Sequence, residues 1–121
     1  MTRILIILST TLLTIACTRT KPLDEGRARE ILESALKDST DVLTNTHTNL
    51  IDDEETAVNF AEAVLFNVYG KRHIENEMPY NVASVDGYWI ITGTVHAQLG
   101  GAFEIVFNSR DGQIVRSTHY K

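Results

Sequence analysis

The chain has 121 residues with sixteen acidic side chains against eleven basic ones, a formal net charge of −5 at pH 7. That balance argues against a nucleic-acid backbone as partner and favours a basic surface. One cysteine, Cys17, excludes an internal disulfide, so stability has to come from a packed core.

The first residues read as an export signal. Arg3 supplies a positive start, Ile4 to Ala16 carries no ionisable group, and the segment ends on a small residue before the polar run from Thr18 to Arg27. A spanning helix needs about 20 apolar residues to cross a core of roughly 30 Å, and this stretch is shorter. Thr14-Ile15-Ala16-Cys17 resembles the lipobox of bacterial lipoproteins, although Thr14 stands where leucine is usual and Leu13 lies one place further out. The expectation is a signal peptide over 1–16, lipidation at Cys17, a tether over 17–23 around Pro22, and a place in the cell envelope, at the outer membrane facing the periplasm, because Thr18 follows the cysteine. Ordinary signal-peptidase cleavage, or a first helix of a soluble protein, are the alternative readings. Cleavage after Ala16 leaves about 105 residues, enough for one compact domain, which we place at 24–121. Arg3 is the leader's only charge, so the mature chain has ten basic against sixteen acidic side chains.

Ala28, Ile31, Leu32, Ala35 and Leu36 recur at helical spacing and predict a helix over about 25–38. The Thr- and Asn-rich stretch from Ser39 to Ile51 reads as a loop with a short extended piece near Val42 and Leu43. A second helix is predicted with Asp52 or Asp53 as its cap, Glu54 and Glu55 in its first turn, and a stripe of Ala57, Val58, Ala61, Val64, Leu65 and Val68 before Gly70 stops it. Beyond Gly70 the period becomes two. Tyr80 to Val85, Asp86-Gly87 and Tyr88 to His96 form a predicted hairpin with a tight turn, and Ala102 to Asn108, Ser109 to Gly112 and Gln113 to Tyr120 form another. Phe103, Ile105 and Phe107 alternate with Ala102, Glu104 and Asn108, and Trp89, Ile91 and Val95 alternate likewise. The architecture that buries both faces is α+β, an antiparallel sheet of about four strands packed against one or two helices.

No reaction centre is evident. His47, His73, His96 and His119 lie 26, 23 and 23 residues apart, without the local spacing of a metal site, and read as surface or hydrogen-bonded side chains. Gly93, Gly100 and Gly101 lie in or beside strands and form no strand-loop-helix phosphate cradle, and the Gly100-Gly101 pair reads as a turn or bulge. No serine occupies a nucleophile elbow, and the lone cysteine is assigned to the anchor. The run Asp52, Asp53, Glu54, Glu55 is accounted for by a helix start, and Lys71, Arg72 and His73 by a helix end. Tyr69, Tyr80, Tyr88 and Trp89 read as core or rim aromatics. The expectation is a non-enzyme with no cofactor and no metal.

The order of segments adds a resemblance. Tyr69-Gly70, Glu77-Met78-Pro79-Tyr80, Asp86-Gly87-Tyr88-Trp89, Gly93, Gly100-Gly101 and the closing His119-Tyr120-Lys121 together resemble small immunity proteins of nuclear-transport-factor-2-like (cystatin-like) fold, the YbbC/YhhH family, associated with Rhs-type and other polymorphic toxins. It covers residues 54–121, and departs from the family at Met78, where a basic residue is expected. The resemblance implies a protein that binds and neutralises a cognate toxin. Combined with the leader, it places that toxin's action in the periplasm. Loop residues His96, Gln98, Leu99 and Gly100 at the open end of the sheet are the expected contact surface, with Asp52, Asp53, Glu54 and Glu55 as a second acidic candidate. The helix, Trp-bearing hairpin and Asp-Gly strand end also resemble PepSY modules that restrain peptidases. A small-ligand-binding lipoprotein is a third reading.

Overall fold

A computed structural model describes residues 20–38, 49–96 and 100–120. The expectations for Met1 to Ala16, Cys17, the extended piece near Val42, His47, Gln98 and Leu99 lie outside the described residues. The chain divides into two compact units, 1–40 and 41–121, so the helix that the sequence groups with 24–121 is described by itself.

In the first unit, α1 spans Glu25–Lys37. Asp24 caps it by accepting from the Arg27 N–H at 3.1 Å, and Glu25 and Lys37 sit where the helix dipole favours their charges. None of its residues is buried, and Ile31, Leu32 and Leu36 are exposed. Among the described residues no helix is long and apolar enough to cross a membrane.

The second unit has the order α2 (Glu54–Tyr69), α3 (Lys71–Glu75), β1 (Asn81–Val85), β2 (Tyr88–Thr92), β3 (Phe103–Asn108) and β4 (Ile114–His119). The strands form one antiparallel sheet in the order β1-β2-β3-β4. Asp86 at φ 50° and Gly87 at φ 81° build the two-residue turn that joins β1 to β2. Trp89, Ile91, Phe103, Ile105 and Phe107 point to one face and meet Ala57, Ala61 and Leu65 of α2, so the α+β sheet with its helical layer is as the alternation requires. Ile51 and Ile74 complete the core.

Three details differ from the sequence reading. Val68 is exposed, because the buried rungs of α2 recur every four residues through 57, 61 and 65, and half-buried Tyr69 takes the next. Gly70, at φ 89°, ends α2 by donating its N–H to Phe66 O, but the chain re-enters a helix at once. The basic residues Lys71, Arg72 and His73 therefore belong to α3 rather than to the end of α2. Val95 is exposed, because β2 stops at Thr92: the Thr94 N–H bonds to Glu77 O at 2.7 Å, drawing the chain from the ladder toward the α3–β1 connection.

Candidate functional site

The register fixes what meets at the end of the sheet away from the Asp86-Gly87 turn. Phe103 pairs with His119, and the Gly93 N–H donates to Phe103 O at 3.0 Å, so Gly93, Phe103 and His119 stand side by side where β2 and β4 end and β3 begins. The α3–β1 connection lies against them. Glu77, only 7% exposed, turns its carboxylate into this place, and its Oε2 accepts the Phe103 N–H at 2.8 Å. Gly93 makes room for it: a Cβ there would overlap Glu77 Oε2 and come within 2.8 Å of the Glu77 Cβ. This glycine serves a close approach of another segment.

The second carboxylate oxygen meets two imidazoles. His119 Nε2 lies 2.6 Å from Glu77 Oε1, His73 Nε2 lies 3.6 Å from the same oxygen, and the two Nε2 atoms are 3.1 Å apart. His119 is held between aromatic neighbours, its ring centroid 5.4 Å from that of Tyr69 and 5.0 Å from that of His73. These groups form one wall of an open cleft of about 280 Å³, which also reaches His96, Gly100 and Gly101. His96 donates from Nε2 to Met78 O at 2.6 Å, and Thr94 donates its hydroxyl hydrogen to Pro79 O at 2.5 Å, tying the segment after β2 to the α3–β1 connection. The Met78–Pro79 bond within that connection is cis.

Of the residues expected to form a contact surface, His96 and Gly100 border this cleft. The acidic run lies elsewhere, at the start of α2. Asp53 is its N-cap, accepting from the Thr56 N–H and hydroxyl, both at 2.8 Å, and these bonds hold its carboxyl below the ordinary 3.8. Asp52 accepts from Asn49 Nδ2 at 3.3 Å, and Glu54 and Glu55 are exposed. A separate pair flanks the core, where the Tyr80 hydroxyl donates to Glu62 Oε1 at 3.1 Å. Burial, then the neighbouring Glu62, push the Tyr80 phenol well above its usual value.

The sequence reading missed His73, Glu77 and His119 as a group. His73 and His119 are 46 residues apart in the chain, and only the strand register joins them. The available signal was indirect: a glycine inside a strand pattern can mark the close approach of another segment.

A four-stranded antiparallel sheet backed by a helix defines the class as a small α+β domain of nuclear-transport-factor-2-like type. Residues 56–121 match the profile of the NTF2 fold immunity proteins, and the chain belongs to that family. It is similar to two Escherichia coli (strain K12) proteins, the uncharacterized protein YhhH, 33% identical over 75 residues, and the uncharacterized protein YbbC, 29% identical over 75 residues. These alignments take in 60% of this chain in both cases, and 59% and 62% of the relatives, so the chain spans about three-fifths of their length. No solved structure matches it.

Proposed function

We propose that this protein is an immunity protein that binds one cognate polymorphic toxin and blocks it in the periplasm, held at the outer membrane through a lipid on Cys17. Membership of the NTF2 fold immunity family carries the reading. The leader-like start and the lipobox-like run before Cys17 support the location, since an immunity protein has to meet its toxin where the toxin acts. The open end of the sheet offers the contact surface, where His96 and Gly100 border the cleft, and His96, Gln98, Leu99 and Gly100 supply specificity. The acidic run Asp52 to Glu55 is the second surface. Neither requires catalysis.

The test is co-expression with the toxin encoded beside this gene, directed to the periplasm of a susceptible bacterium. Survival should require this protein with its leader, fail when residues 1–16 are deleted, and weaken when Cys17→Ser removes the acylation site. Charge reversal at one productive loop position should abolish protection without unfolding the domain, because binding energy concentrates in few residues. Protection by the leaderless form against a toxin acting only in the cytoplasm would overturn the location. Absence of binding to any neighbouring toxin, together with inhibition of a peptidase, would replace the immunity reading.

A further inference from the structure

We propose that His73, Glu77 and His119 form a binding site for a divalent transition-metal ion of the zinc class. Each offers one ligand atom, and the three atoms converge from three parts of the second unit: α3, the α3–β1 connection, and the end of β4. Imidazole nitrogen and carboxylate oxygen are the donors that zinc accepts in a two-histidine, one-glutamate set.

The separations fit an ion. Ligand atoms ~2.0–2.1 Å from a tetrahedral zinc stand ~3.3 Å from one another. Here they are 3.1 Å for His73 Nε2 to His119 Nε2 and 3.6 Å for His73 Nε2 to Glu77 Oε1, on either side of that value. The third edge, His119 Nε2 to Glu77 Oε1, is 2.6 Å and opens by ~0.7 Å on binding. Even unrelaxed, a circle through the three atoms has a radius of ~1.8 Å, so an ion at bonding distance from all three sits ~0.9 Å out of their plane. That leaves a fourth position for water or a donor from outside the chain.

The hydrogen count points the same way. A hydrogen on His119 Nε2 directed at Glu77 leaves that nitrogen no lone pair to accept from His73. No arrangement of one hydrogen per neutral ring and none on the carboxylate bonds all three edges. A cation at the centre satisfies all three lone pairs at once. It also compensates a carboxylate whose side chain is only 9% exposed and whose other firm partner is a neutral backbone N–H. That N–H, from Phe103 to Oε2, fixes the carboxylate as an outer-shell bond does in metal sites, while His73, 56% exposed, leaves a way in.

This inference is independent of the toxin reading. The experiment is titration of the full-length protein, purified in detergent and stripped with chelator, with zinc chloride against a chromophoric competitor, and with cobalt(II) chloride to follow the visible bands of a low-coordinate ion. The parent should take up one ion per chain. His73→Ala, which removes an exposed ring, and Glu77→Gln should each weaken uptake at least tenfold and abolish the cobalt bands, with circular dichroism unchanged for His73→Ala. His47→Ala should bind as the parent does. Uptake of less than half an equivalent by the parent, or equal affinity in parent and His73→Ala, overturns the proposal.

Discussion

At the turn end of the sheet, Trp89 donates its Nε1–H to Ile51 O at 2.9 Å. The Ile51 N–H donates to Ser109 O at 2.9 Å, and the Ser109 N–H donates to Gly87 O at 2.9 Å. Each of these three N–H groups has one acceptor, and the chain before α2 is stitched to both hairpins. At the other end Glu77, His73 and His119 bring together three acceptor-capable atoms whose three mutual edges cannot all be hydrogen bonds, on the wall of a cleft. The same four strands therefore end in two ways, one closed by complementary hydrogen bonds and one left open to an outside ion or partner.

The largest expected effect lies at the closed end. Trp89 is 8% exposed, packs in the core and anchors Ile51, so Trp89→Ala should cost about 3–5 kcal/mol in denaturant unfolding. A change below about 1 kcal/mol would mean that the segment before α2 is held by something other than this side chain. Next comes the border of the two regions. Gly93→Ala places a methyl group onto the Glu77 carboxylate and 3.0 Å from Phe103 Cδ1, and should cost about 1–3 kcal/mol through displacement of a buried acid and a core ring. An unchanged denaturation midpoint would show that Glu77 can leave its place freely.

Much of the fold was legible because its signals are local. Asp86-Gly87 dictates a turn by backbone angle, the 103–107 alternation follows from the two-residue period of a strand, and Asp53 before two glutamates marks a helix start. α3 escaped because five residues after a glycine are too few to show a period, and β2 was read too long because Val95 continues the alternation while the Thr94 N–H has another acceptor. The cleft was half legible. His96 and Gly100 were placed at the open end by hairpin connectivity, but the cluster depends on β4 ending at His119 opposite Phe103, and on a glutamate arriving from outside the sheet. Residue spacing along the chain carries no trace of such a juxtaposition. Residues in three separate elements meet only once the register is known.

The smallest expected effect separates structure from recognition in the acidic run at the start of α2. Asp53 accepts two hydrogen bonds from Thr56, and its carboxyl titrates below the ordinary 3.8 in the folded protein. A lowered folded value means that the ionised form favours the native state. Asp53 thus contributes its full stability at pH above the ordinary value and loses it as pH falls through 3.8 and below. Asp53→Ala should lower the melting temperature by no more than a few degrees at pH 7, and the gap between parent and variant should narrow between pH 5 and pH 3 in thermal melts followed by circular dichroism. A gap that stays constant over that range would show that the cap acts through geometry alone. Glu54 and Glu55 accept no such side-chain bond among the described contacts and lie exposed beside the cap. Their reversal to lysine also opposes the helix dipole, so Glu→Gln is the cleaner substitution for asking whether this surface meets a toxin. If protection falls in Glu54→Gln or Glu55→Gln while the melt is unchanged, the acidic run is a contact surface. If only Asp53→Ala matters, and only through stability, the run is a helix start and recognition belongs to the open end of the sheet.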